Sequence, residues 1–274
     1  MPILRLHIYQ PQAHYRVPFT YQRRHTFPIP PYSTIIGFLC NACGVDDQGK
    51  EIYEDCIKEL KISIAGKFKL KNTEMIWYRN LSKNAHEGSY GSMSIREKNG
   101  NIGHIGGQAP IHIDVLEDVE LYIYLYHNDE QQLKNLSQQL INPTNRLQVI
   151  HLGRAEDWIV YETEPKILYD DDLNIQRKDA NYNIFLWIPE RFFKIKNSPD
   201  IDFGKVDGNV YRLTTFSKIE DYDNHHNHTA RRLYKYILSK LNDGKIFGYN
   251  LLLDKEFNIP LFLGDFYNEH SSQR

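Results

Sequence analysis

The sequence predicts an α+β protein built on an antiparallel sheet, and three observations carry that expectation. Several segments alternate apolar and polar side chains at period two, most cleanly Glu120 to His127, where Leu/Ile/Leu opposes Tyr/Tyr/Tyr. Two segments instead keep their apolar residues at helical spacing, and each is bounded by cap or breaker residues. The chain of 274 residues also carries 19 Tyr and 13 Phe, and aromatic residues favour strands. The elements run strand, helix, strands, then strand, helix, strand. That is a split β-α-β order, as in ferredoxin-like domains.

Taken in order, Ile3 to Tyr9 alternates and reads as an opening strand. Tyr15 to Phe27 is extended, basic and aromatic, with Arg16, Tyr21, Arg23, Arg24 and His25. Pro28, Pro30 and Pro31 stop regular structure and pre-set a helix start, and Gly44 suits the left-handed position beyond its end. Ile35, Ile36, Phe38, Leu39 and Ala42 are its buried face. A short helix is expected within 47–60, then a strand over Lys61 to Lys71 with one lysine-rich face, and another over Met75 to Leu81. Ser82 to Gly107 is rich in Gly, Ser and Asn; it reads either as a projecting hairpin or as a loose insertion. Ala109 to Val115 and Glu120 to His127 follow as two strands. Asn128 or Asp129 then caps a helix whose Leu133, Leu136 and Leu140 share a face. Strands are expected at Leu147 to Leu152, Trp158 to Glu162, Lys166 to Tyr169, Ile184 to Ile188, Val210 to Phe216 and Ile246 to Leu253. Ala230 to Leu241 reads as a helix. The expected division is 1–165 and a β-rich, less regular 166–274.

A net charge of −2 leaves no global basic footprint, so any nucleic-acid site must be a local patch. Cys40, Cys43 and Cys56 are an odd set without a second CxxC, which points to reduced thiols, a cytoplasmic protein and no structural zinc. The first residues are too charged for a signal peptide, and no apolar run approaches membrane-spanning length.

The chemistry concentrates at Tyr15 to Gly44. A cationic loop there feeds a helix N-terminus, whose free N–H groups together with Ser33 and Thr34 suit an anion such as phosphate. Solvated arginines explain the same pattern. Gly153-Arg154 follows a strand: glycine permits close backbone approach, and arginine offers a planar fork for phosphate. Pairing of Arg154 with Glu156 or Asp157 in a surface turn is favoured on local pattern. His225, His226 and His228 occupy one polar loop, a poor metal cage, and Asp170 to Asp172 read as a solvated turn. No cofactor motif is found. Metal-free RNA cleavage needs a base near the 2′-hydroxyl and a cation near the phosphate. His25 beside Arg23 and Arg24, or Tyr78, Lys83 and His86, supply such groups without any sign of convergence.

The opening strand, FPIPPYSTIIGFL, AP-IHIDVLEDVELYIYLY and LQVIHLGRAEDWI together resemble CRISPR-associated protein family five, with the type I-B branch nearest in pattern. These are RAMP-type subunits of type I Cascade complexes, and the resemblance runs from about residue 3 to 163. It implies an RRM-type ferredoxin-like palm with a thumb hairpin near 82–107. It also implies a non-catalytic subunit that holds the 5′ handle of CRISPR RNA, caps the backbone assembly, and meets backbone RAMP subunits, the large subunit and, indirectly, target DNA. Carried over, Arg16, Arg23, Arg24, Ser33 and Thr34 hold handle phosphates with Tyr21 and His25 among them; Gly153 and Arg154 line the same pocket. Lys83 and Arg96 belong to the thumb, and Lys67 and Lys69 serve RNA or a neighbouring subunit. One branch cuts precursor RNA without metal; no clear match to its catalytic set is present, so no catalytic residue is expected.

Overall fold

A computed structural model describes residues 1–18, 20, 22–46, 51–80, 97–98, 101–102, 107–193, 201–220 and 231–266. The frame is set by β1 (Ile3–Ala13), β5 (Lys61–Lys67), β9 (Gly107–Tyr126) and β10 (Val160–Leu168). They lie in the order β10-β1-β9-β5, with every adjacent pair antiparallel. β1 and β5 therefore run parallel with β9 between them. Helix α1 (Tyr32–Cys43) connects β1 to β5, and α3 (Glu130–Ile141) connects β9 to β10; a short α2 (Glu51–Asp55) and a 3-10 turn (Ile57–Glu59) occupy the expected short-helix region. Both long helices start and stop as the residues require. Pro31 precedes α1 in an extended conformation, Gly44 ends it at φ 70°, and Asp129 caps α3 by accepting from the Gln131 N–H.

Period-two alternation sorts each strand between two cores. Leu4, Leu6, Ile8, Ile62, Ile64, Leu121, Ile123 and Leu125 meet α1 and α3 on one face. Ile3, Ala65, Tyr122 and Tyr124 face the other way. That second face is covered by a small sheet of β11 (Leu173–Asn181), β15 (Lys245–Asp254) and β16 (Ile259–Pro260), which buries Leu251, Leu252 and Leu253. A cross-sheet ion pair pins it: Arg5 Nη1 donates to Asp254 Oδ2 at 2.9 Å, and Tyr124 donates to the same oxygen at 3.0 Å.

Several expectations change. The strand over Lys61 to Lys71 breaks after Lys67, and β6 (Leu70–Asn80) begins beyond it. Lys61 is buried against Asp265, so the basic face is not continuous. The segments Ala109 to Val115 and Glu120 to His127 form one strand that changes partners at Asp118 (φ 51°). On one edge it pairs with β6 before Asp118 and with β5 after it; on the other it pairs with β1 from Leu116 onward. Leu147 to Leu152 is irregular, because Asn41 captures its backbone: the Leu147 N–H donates to the Asn41 carbonyl and the Gln148 N–H to Asn41 Oδ1. The helix expected over 230–241 is instead β14 (Arg231–Asn242), paired with β13 (Asn209–Glu220) and with β12 (Phe185–Pro189). β12 joins β5, so these late strands extend the main sheet to nine strands among the described residues. Of the hairpin expected at 82–107, β7 (Glu97–Lys98) and β8 (Asn101–Ile102) pair antiparallel; the rest lies outside the described residues apart from Gly107, which begins β9.

A candidate anion cleft at the start of helix α1

Chain segments far apart in sequence meet where α1 begins. β2 (Tyr15–Arg16) and β4 (Thr26–Phe27) pair as a short ladder, and β3 (Arg23–Arg24) lies parallel to β9 through Arg23↔His112 and Arg24↔Ile113. They border a cleft of about 320 Å³ whose walls include Arg16, Arg24, Arg154 and Arg212. His14, Ser33, Thr34 and Thr214 complete its polar lining with Gly153 beside them, and no Asp or Glu lines it among the described residues. A second cleft of about 370 Å³ shares Ser33, Thr34 and Gly153 and continues past Gln148 and His151. The two form one groove along the first turn of α1.

The helix end is uncapped by any side chain and has no acidic residue in its first turn. The Thr34 and Ile35 N–H groups bond the Pro31 carbonyl, which leaves those of Tyr32 and Ser33 for solvent or for an anion. The Ser33 and Thr214 hydroxyls bond each other at 2.7 Å and fix the helix start to β13. Arg24 lies over the Tyr78 ring at 4.9 Å, and its buried Nε has no hydrogen-bond partner. Arg212 lies over Tyr236 at 4.0 Å. Among the described residues, Arg16, Arg24 and Arg212 have no carboxylate partner, and the closest acceptor to Arg16 is the Thr20 carbonyl at 3.5 Å.

Gly153 and Arg154 reach the cleft through internal ties. Asp157, nearly fully buried, accepts from the His14 N–H (2.9 Å), the Arg154 N–H (2.8 Å) and the Arg154 guanidinium (2.8 Å). Gln10 Nε2 donates to the Leu152 and Asp157 carbonyls. The turn is thereby fastened to the end of β1, beside the arginine-bearing segment. Gly153 sits at φ 117°, and a Cβ there would stand 2.7 Å from Asp157 Oδ2 and 3.0 Å from the His14 carbonyl. The glycine serves this turn, and the Arg154 fork is occupied by Asp157 with Glu156 at 3.4 Å.

Strand alternation separates neighbours that look equivalent in sequence. Arg24 faces the cleft; Arg23 and His25 face away and converge on Asp114. Arg23 Nε and the Thr73 hydroxyl reach its Oδ1 at 3.0 and 3.1 Å, and His25 Nδ1 stands 3.0 Å from Oδ2. Burial alone would raise the Asp114 pKa, but hydrogen bonds from His25, Arg23 and Thr73 outweigh it and hold the carboxyl below its ordinary value. Lys67 pairs with Glu120 at 2.7 Å and Lys69 with Asp118 at 3.2 Å, and neither lines the cleft. Tyr21, Lys83 and Arg96, and the histidines of 225–228, lie outside the described residues.

His14, Arg212 and Thr214 went unnoticed in the sequence. His14 Nδ1–H donates to the Asp114 carbonyl, 2.8 Å away. Burial lowers its pKa, with Arg154 and Arg24 adding to the effect, so a neutral ring stands in this wall at pH 7. Nothing local marks Arg212 in VYRLTTF; only the docking of β13 beside α1 brings it to the cleft wall. The cysteines are free thiols, each pushed up to about 12 by burial, which leaves them unreactive. Among the described residues no group of His, Cys, Asp or Glu is arranged to hold a metal, and no helix is long and apolar enough to cross a membrane.

A family model described as CRISPR-associated protein (Cas_Cas5) matches residues 3–162. Among solved structures, the chain is similar to a chain of a CRISPR RNA-guided surveillance complex: 13% identity, 90% of this chain and 91% of that one, TM-score 0.54. It is also similar to a CRISPR protein from Archaeoglobus fulgidus, at 12% identity, 91% and 89% coverage and TM-score 0.40. A chain of a type III-B Cmr-beta complex matches at 12% identity, 91% and 86% coverage and TM-score 0.41. Only the first of these bears on the fold. No curated protein matches in sequence.

Proposed function

This chain belongs to the CRISPR-associated Cas5 family, and from that premise we propose that it is a non-catalytic RNA-binding subunit of a type I Cascade complex. In this reading it grips the 5′ handle of the CRISPR RNA and caps the backbone assembly, beside backbone RAMP subunits and the large subunit. The order β10-β1-β9-β5, with a helix on each crossover, supports a ferredoxin-like palm of RRM type. In this palm the sheet face free of helices is closed by β11, β15 and β16, so bases have no access to Tyr122 and Tyr124 there. In this reading the RNA lies instead in the cleft at α1.

One observation carries the proposal: a groove without acids among the described residues, in which a helix N-terminus meets three arginines, Arg16, Arg24 and Arg212, without carboxylate partners among those residues. That arrangement holds phosphate oxygens through N–H donors and charge, without reading sequence. Guide pairing supplies sequence recognition in RNA-guided complexes, and protein holds backbone and shape. The test is to copurify the chain with its partner subunits and identify the nucleic acid. A bound transcript whose 5′ end is protected by this subunit is expected. An assembled complex with that end unprotected would refute the reading.

The second reading is metal-independent cleavage of precursor RNA. Its one favourable observation is His25, half exposed, with the Asp114 carboxylate on Nδ1. A carboxylate there can orient an imidazole as a base. Incubation with labelled repeat RNA in EDTA separates the two readings. No cut is expected, and a single specific cut lost in His25→Ala would reverse the assignment.

A further inference from the structure

The cleft does not end at Arg212. β13 and β14 form a long hairpin at the edge of the main sheet, and Val210, Tyr234, Tyr236 and Leu238 are exposed on its outward face. Backbone register places Leu238 opposite Arg212 and Tyr236 opposite Thr214, so the cleft residues and this face are continuous. Tyr234 and Tyr236 are 46% and 39% exposed, with ring centroids 6.5 Å apart. The Arg212 guanidinium, which lines the cleft, lies over the Tyr236 ring. On the face of Tyr234 and Tyr236 the hairpin carries Arg212 and Lys240, the latter held by the Val206 carbonyl at 2.6 Å, and from Asn209 to Ser217 and from Leu233 to Leu241 it has no Asp or Glu; Lys235 belongs to the opposite face. Exposed rings beside the Arg212 guanidinium, on a stretch of hairpin without acids of its own, suit a polyanion that also offers flat faces. That is single-stranded nucleic acid.

We propose that Tyr234 and Tyr236 form a base-stacking track for the RNA segment whose phosphates the α1 cleft holds. This rests on the cleft reading and extends it. The strand leaves the groove past Arg212, which bridges backbone and ring, and its bases lie on the two tyrosines. Stacking of this kind tolerates any base, because every base has a π face.

The test uses the full chain and a short fluorescein-labelled single-stranded RNA, read by anisotropy at several salt concentrations. Tyr234→Ala and Tyr236→Ala should each weaken binding about 5- to 100-fold and leave the salt slope unchanged, because stacking releases no counterions. Tyr236→Phe should restore most of the loss. An RNA with abasic sites should bind the wild type more weakly than the intact strand, and the double alanine variant should bind both strands alike. Unchanged affinity in the double variant would overturn the track, as would an undiminished preference for the intact strand. Loss of partner-subunit assembly with RNA affinity intact would assign the face to a protein and overturn it equally. Arg24→Ala separates the two ideas. If Arg24→Ala lowers affinity and salt slope while the tyrosine variants do nothing, the cleft stands and the track fails. If Arg24→Ala leaves both unchanged, the cleft itself fails.

Discussion

Arg5 and Arg24 each lie over an aromatic ring, Phe257 at 4.5 Å and Tyr78 at 4.9 Å, yet they belong to opposite kinds of surface. Arg5 is 3% exposed and shares its charge with Asp254 and Glu256, sealed beneath the small C-terminal sheet. Arg24 has no carboxylate among the described residues and opens on the α1 cleft with Arg16 and Arg212. Cation plus ring is thus no signature of a binding site. The deciding factor is the carboxylate. A paired and desolvated arginine holds two sheets together, and an unpaired one beside a helix N-terminus is available to an anion.

The largest expected break of this comparison is Asp254→Ala. It leaves Arg5 buried and short of a partner, and breaking such a pair costs about 3–5 kcal/mol. Urea unfolding should show the loss, and a change below about 1 kcal/mol would mean the pair does not hold the sheets. Arg24→Ala with Arg212→Ala should do the reverse. Stability should move little, while RNA affinity falls and the salt slope drops by roughly 0.7 for each phosphate no longer neutralised. An unchanged slope would remove both residues from the anion site.

Next in size is Gly153→Ala, which forces a side chain onto Asp157 and the His14 carbonyl at a left-handed backbone position. A destabilisation of about 1–3 kcal/mol is expected, with RNA affinity reduced because Arg154 and His14 shift together. Asp114 sharpens the contrast through pH. Its pKa is lowered on folding, so its contribution is complete above the ordinary carboxylate value of about 4 and fades as pH falls below that. Asp114→Asn should flatten the acid limb of the stability profile, and an unaltered limb would show that the Arg23–His25 cluster is not stabilising. The smallest effect belongs to Arg23→Ala. It should cost some stability through Asp114 and change RNA binding far less than Arg24→Ala, as paired titrations of the two variants can show.

Much of the frame is readable residue by residue. Pro31 and Gly44 bracket α1, Asp129 starts α3, and the Leu/Tyr alternation of 120–127 assigns both faces of β9. β14 is the instructive miss. Leu233, Ile237 and Leu241 are four apart, a spacing that keeps one face in a helix and in a strand alike. Tyr234, Tyr236 and Leu238 alternate with them, and pairing with β13 decides in favour of strand. Leu147 to Leu152 fails for a different reason, since Asn41, more than a hundred positions away, takes its backbone bonds.

The amino-acid sequence alone determined where α1 begins and ends, which face of β9 carries leucine and which tyrosine, and that cations gather before α1, because these follow from local backbone preference and periodicity. Only the tertiary structure decided which cations are free. Arg23 and Arg24 are neighbours in the chain, but one meets Asp114 and the other a groove that has no acid among the described residues and is completed by Arg212 from 188 positions further on. A carboxylate's reach is a few ångströms in space, and sequence separation carries no information about that distance.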